Sequence, residues 1–178
     1  NLDHIYSFDS ATIGVLSGFY SSISHLPLAA APARYTNPSP PWNERTPGMV
    51  FVGKNSPSRN EAIAELRSEG ARVAAFGAGA QSGFRFWRKR RMSPAAAAKT
   101  YGSYQAVLNL LQPPNTVNGL NLRAFEAPLS GALGTYPLTP DVSESFAIGD
   151  EIIAFHDLSD LRRQFHALDK DPVRAESI

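Results

Sequence analysis

Residues 49–77 read MVFVGKNSPSRNEAIAELRSEGARVAAFG. Met49-Val-Phe-Val52 is an unbroken apolar run closed by Gly53, the pattern of a strand buried on both faces. Lys54 to Ser58 is a polar loop, with Ser58 in the position of a helix N-cap. From Arg59 to Glu69 the apolar residues Ala62, Ile63 and Leu66 recur at helical spacing, and Gly70 marks the stop. Arg72-Val-Ala-Ala-Phe76 is a second strand, followed by Gly77-Ala-Gly79-Ala80. Strand, helix and strand in so short a span predict a right-handed crossover between parallel strands.

The alternation continues downstream. Ser93-Pro94 opens an alanine-rich helix, with Ser93 as cap and Pro94 in its first turn. Gln105 to Leu110 reads as a third strand, and a loop from Gln112 to Asn121 leads to a helix carrying Glu126. Ala132 to Tyr136 is a fourth strand, Ser143 to Ile148 a short helical turn, and Glu151 to Phe155 a fifth strand. A last amphipathic helix starts at Ser159, with Leu161, Phe165 and Leu168 on its apolar face. This order predicts an α/β fold: a Rossmann-like parallel sheet of about five strands over 49–155, with helices on both faces. The ligand crevice of such a sheet lies at the carboxyl ends of its strands, where the loops after Val52, Phe76 and Leu110 open.

Upstream, His4 to Phe8 reads as a short strand and Ala11 to Phe19 as a short helix ending near Gly18. Leu26 to Pro32 is an extended turn. Pro38, Pro40, Pro41 and Pro47 make residues 37–47 a stiff linker or surface crossing. These pieces are too short for a core of their own, so 1–47 is expected to pack as an appendage.

Composition narrows the function classes. The 178 residues suffice for one domain with a core, and 43% are hydrophobic. A net charge of +1 gives no electrostatic reason to expect a nucleic-acid partner. With no cysteine, thiol catalysis, disulfides and cysteine-ligated metals are excluded for these residues. The histidines at 4, 25, 156 and 166 show no metal-ligand spacing, so no metal and no cofactor is expected. Absence of cysteine fits the cytoplasm, and no apolar run is long enough to span a bilayer. The chain begins without methionine inside a strand-like pattern and reads as a fragment.

Several residues are candidates for binding. After the first strand, Gly53 lets a ligand approach the backbone, while Lys54 and Arg59 offer charge to a diphosphate; the plainer reading is a capped helix start with a solvated lysine. Gly77 admits a base or ribose, or serves a turn of positive φ. Arg85-Phe-Trp-Arg-Lys-Arg-Arg91 reads as a solvated face, with contact to phosphates, stacked bases or an anionic membrane surface as the other reading. In Asn118-Gly-Leu-Asn-Leu-Arg-Ala-Phe-Glu126 a polar loop enters a helix whose one carboxylate, Glu126, suits sugar hydroxyls. An exposed carboxylate paired with Arg123 accounts for the same residues.

Taken in order, Val50-Phe-Val-Gly53 with Arg59, Phe76-Gly77, Val107-Leu-Asn109, Gly119-Leu-Asn-Leu-Arg-Ala-Phe-Glu126, Gly131 and Gly149-Asp-Glu-Ile-Ile153 resemble the CgeB-type (spore maturation protein) glycosyltransferases. These are similar to the group 1 glycosyltransferases of two-domain GT-B fold. The resemblance covers roughly residues 4 to 170, and the Asn-Leu-Arg-Ala-Phe-Glu segment is its most specific part. It implies the C-terminal half of a GT-B fold, with 1–47 as the end of an N-terminal domain and interdomain linker and 48–178 as a nucleotide-sugar-binding domain. Group 1 enzymes carry two glutamates with seven residues between them; the second binds ribose and the first reaches the donor sugar. Glu126 matches the second, whereas the first falls on Asn118, an amide. Asn121 and Arg123 fit the CgeB-type loop. Donor-binding residues implied are thus Glu126, Arg123, Asn118, Gly119, Asn121, Gly53, Lys54, Arg59 and Gly77. Pro128 is expected to kink its helix, and Ala31 stands where the family commonly has Asp. The resemblance implies transfer from a nucleotide sugar to an acceptor sugar, protein or glycan held by a missing N-terminal domain. A sugar-nucleotide epimerase and a non-catalytic binding module are the other readings.

Overall fold

The structure, a computed structural model, describes residues 4–36, 39–54, 56–77, 92–112 and 116–178. β1 (Ile5–Ser7), α1 (Ser10–Leu16), β2 (Ile23–His25) and α2 (Pro32–Tyr35) come first, then a 3-10 turn at Trp42–Glu44. Next are β3 (Thr46–Val52), α3 (Pro57–Ser68), β4 (Val73–Phe76), α4 (Pro94–Gly102) and β5 (Tyr104–Val107). The chain continues through α5 (Arg123–Leu129), β6 (Leu133–Pro137), α6 (Pro140–Ser145), β7 (Ile153–Phe155), α7 (Leu158–Asp169) and α8 (Pro172–Ser177).

Five strands form one parallel sheet in the order β4-β3-β5-β6-β7. The chain leaves β3 toward β4 on one side and returns to β5 on the other. The loops leaving the carboxyl ends of β3 and β5 therefore run apart, which opens a crevice between them. Strand alternation sorts the core into faces. Met49 and Phe51 point into a cluster with Ile63 and Leu66 of α3, Leu161 and Leu168 of α7 and Ala175 of α8. Val50 points the other way, to Ala97 and Tyr101 of α4 and Ala127 of α5. Leu120, Ala124, Tyr136, Val142 and Ile152 close the far end. The expected α/β class, parallel sheet and two-sided covering of helices are all observed.

Several boundaries differ from the sequence reading, each for a local reason. Ser56, not Ser58, occupies the N-cap of α3, because Pro57 supplies the fixed φ of the first helical position. Asp157 rather than Ser159 caps α7, accepting from Asp160 N. Helix α6 starts at Pro140, ahead of the Ser143 expected. Pro128 sits in the last turn of α5, where the missing N–H costs one bond and the helix ends a residue later instead of kinking.

The region before β3 departs most. β2 and α2 had no signal in the pattern. β1 and β2 form a separate two-stranded parallel sheet, with α1 between them and no buried residue on that helix. Trp42 lies in what reads as a linker, yet it is 1% exposed and packs into the main core, with its backbone N–H donated to Glu176 Oε1. The β1–α1–β2 unit docks on the sheet domain through Asp9. Its carboxylate caps α1 at Ala11 N and accepts from Val117 N at 2.6 Å and Asn118 N at 3.1 Å. Next to it, Ser10 N donates to the fully buried Asp141, which His25 also meets at 3.3 Å.

Candidate functional site

A cleft of about 930 Å³ opens at the carboxyl ends of β3 and β4 and along α5. Seven of the nine residues singled out in the sequence line it: Gly53, Lys54, Arg59, Gly77, Asn121, Arg123 and Glu126. The other two, Asn118 and Gly119, lie outside its wall. Asn118 gives its backbone N–H to Asp9 and its side-chain amide to Ser10 Oγ. A side chain on Gly119 would strike the Phe8 carbonyl oxygen at 2.7 Å. The stretch 118–126 thus divides, its first residues holding the β1–α1–β2 unit and its last facing the cleft.

The floor is glycine for a steric reason. Gly53 N donates to Phe76 O, which sets Gly53 and Gly77 against each other at adjacent strand ends. Gly77 has φ +144°, and a Cβ there would lie 1.8 Å from Gly53 O. A Cβ on Gly53 would meet Arg123 Nη2 at 2.6 Å. No larger residue fits at Gly77, one at Gly53 would have to displace the Arg123 and Phe51 side chains, and backbone is left bare at the crevice.

The two arginines act differently. Arg59 reaches across from α3 and donates to Leu110 O, Lys54 O and Gln112 Oε1. It ties together the loops that follow β3 and β5. Burial, with the Arg123 charge beside it, pulls its guanidinium down to about 10, so it stays cationic at neutral pH. Arg123 lies over the Phe51 ring at 4.7 Å and donates to Asn109 Oδ1 at 2.8 Å. Its Nε is buried without a hydrogen-bond partner among the described residues. Asn109 and Asn121 bond each other reciprocally through their amides, and Asn121 Oδ1 also accepts from Arg123 N at the start of α5.

Glu126 does not pair with Arg123. Its Oε1 accepts from Tyr35 at 2.6 Å and its Oε2 from Tyr101 at 3.3 Å. Burial and the carboxylate both raise the Tyr35 phenol, and burial pushes the Tyr101 phenol up to about 12. Both phenols remain protonated donors at neutral pH. The sequence reading missed these two tyrosines. Tyr101 carried a signal, since Ala97, Ala98 and Tyr101 share a buried face of α4 at helical spacing. Tyr35, in four residues of helix that no periodicity marks, carried none.

Gly79 and the cationic run 85–91 lie outside the described residues. Among the described residues no three His, Asp or Glu side chains gather as a metal site, and no helix is long and apolar enough to cross a membrane.

Three comparisons bear on this geometry. The model of a family described as glycosyl transferase-like matches residues 59–178. A search of curated proteins returns no match. Among solved structures, a sucrose-phosphate synthase from Thermosynechococcus elongatus superposes with a TM-score of 0.69 at 12% identity, over 99% of this chain and 51% of that one. A second structure, TarM, superposes with a TM-score of 0.67 at 13% identity, over 99% of this chain and 38% of that one. The chain spans about half the length of the first and less of the second. At such identity the likeness concerns the fold, which is the α/β arrangement of the GT-B glycosyltransferases.

Proposed function

Since the chain belongs to the glycosyl transferase-like family, we propose that its cleft binds the nucleotide-diphosphate sugar donor of a glycosyltransferase. One observation carries the reading: a carboxylate, an arginine stacked on Phe51 and two bare glycines line the crevice of a parallel sheet. Each suits one part of the ligand. Glu126 accepts hydroxyls of the ribose. Arg123, Lys54 and the loop amides ahead of α3 take the diphosphate and stabilise its departure, an electrostatic role that needs no metal. Gly53 and Gly77 let the nucleoside lie against backbone.

The finer reading is a hexosyltransferase of CgeB type, in which 1–47 ends an acceptor-side domain and 48–178 holds the donor. The acceptor, a sugar, protein or glycan, is held by residues outside this chain. The whole protein works in the cytoplasm, and residues 85–91 supply any contact with an anionic membrane surface. Calorimetric titration with uridine, guanosine and adenosine diphosphates tests the binding half of this reading. Binding of one of them, weakened in Arg123→Ala, is expected; no binding by any at millimolar concentration removes it.

A second reading is a sugar-nucleotide or partner-binding module without transfer. The orientation of Asn118 favours it, because that side chain is spent on Ser10 and does not line the cleft. Turnover by the full-length protein decides between the two.

A further inference from the structure

The carboxylate of Glu126 is held by two phenols of unlike standing. Tyr101 is 2% exposed and fixed in the second face of the core by α4. Tyr35 is half-buried at the edge of the same cluster, lines the cleft beside Glu126, and belongs to the four-residue α2, which has no buried residue and no side-chain cap. The remaining hydrogen bonds of α2 among the described residues are local: Arg34 N to Ala31 O, and Thr36 N and Oγ1 to Pro32 O. The 2.6 Å bond to Glu126 is therefore the polar tie, among the described residues, between α2 and the sheet domain.

We propose that Tyr35 is a latch on the ligand site: in the empty protein its hydroxyl occupies Glu126 Oε1, and a ligand seats itself by supplying a hydroxyl that takes its place. The inference rests on the reading of the cleft as a nucleotide site and adds a selection rule to it. A phenol and a ribose hydroxyl offer a carboxylate the same thing, one short O–H donor. The exchange therefore costs little for a ligand that carries the hydroxyl. A ligand without it either leaves the latch shut or leaves a carboxylate oxygen unpaired, and both outcomes weaken binding. Tyr101 stays on Oε2 throughout and keeps the carboxylate aligned. Displacement of the Tyr35 hydroxyl removes that polar tie and leaves α2 held by packing against α4 and α5, so a filled site and a loosened segment ahead of β3 go together.

Two measurements on the 178-residue chain test this. The first is calorimetry of the parent and Tyr35→Phe with uridine, guanosine and adenosine diphosphates and their 2′,3′-dideoxy counterparts. The phenylalanine keeps the ring in place and removes the competing hydroxyl. The variant is expected to bind the preferred ribonucleotide roughly three- to tenfold more tightly, the scale of one hydrogen bond, and the dideoxy compound no more tightly than the parent does. The second is amide hydrogen exchange of the parent across residues 32–36, which needs no variant and is expected to quicken when the ribonucleotide is added. Equal or weaker ribonucleotide binding by Tyr35→Phe overturns the latch and leaves the nucleotide site standing. Exchange at 32–36 that is unchanged or slowed by a bound ribonucleotide does the same. If neither protein binds any of the nucleotides, the site reading falls and takes the latch with it.

Discussion

Glu126 is the carboxylate that the sequence singles out, and the structure gives it partners other than the Arg123 that spacing offers. Spacing put Arg123 one turn behind it, and i,i+3 pairing was the obvious structural explanation. The structure sends the two apart, Arg123 to Asn109 and the Phe51 ring, Glu126 to Tyr35 and Tyr101. A glutamine at 126 keeps one acceptor for Tyr35 but turns an amide N–H toward Tyr101. Glu126→Gln is therefore expected to weaken nucleoside diphosphate binding by about 1.5–3 kcal/mol and to lower the ligand-free melting temperature slightly. Calorimetry paired with a thermal melt checks both; undiminished affinity would take Glu126 out of the site. The residues that were legible are those whose chain neighbours explain them. Gly53 and Gly77 follow apolar runs, and Arg123 and Glu126 open a helix. Tyr35 and Asp9 were not legible, because their partners lie 91 and 108 residues away.

At the scale of elements, β3, α3, β4, α4 and β5 could be read because each announces itself by period and punctuation. β2, α2 and the Trp42 turn could not, since three or four residues set no period and their stability comes from what they touch. Asp9 is the best case of such a contact. Burial by itself would raise its pKa, but N–H groups of Val117, Asn118, Gly119 and Ala11 outweigh burial and lower it. A carboxylate with a depressed folded-state pKa adds stability above its unfolded value, about 3.9, and loses it as pH falls through the folded value. Asp9→Asn is thus expected to be less stable than the parent at pH 6, by about 1–3 kcal/mol. The gap should narrow below about pH 4, as protonation makes the parent resemble the variant. Urea unfolding of both proteins between pH 3 and pH 7 reads the gap; one that stays constant would mean that Asp9 acts through shape and not through charge.

For the whole molecule, the reading proposed above assigns this chain the nucleotide and leaves the acceptor to residues outside it. Proximity and orientation dominate the catalysis of group transfer, and a donor without an oriented acceptor gains neither. The 178-residue chain is expected to bind nucleotide and to transfer no sugar in an assay of released nucleoside diphosphate with simple sugars as acceptors. Robust release dependent on the acceptor would contradict the division of labour proposed above. The way the β1–α1–β2 unit is attached has a consequence for how the chain reaches its native state. Contacts within the large sheet close shorter spans, from Met49 with Val73 across one helix to Met49 with Ala106 across α3, β4 and α4. The Asp9 and Ser10 contacts instead close loops of 108 and 131 residues. Long closures forfeit more chain entropy before any contact repays it, so the sheet condenses first and the leading unit clips on afterward. Refolding from urea should then show a fast phase that Asp9→Asn leaves untouched, followed by a slower one that the substitution retards. For an interval after the sheet forms, the molecule has the crevice of its parallel sheet and no strap across it.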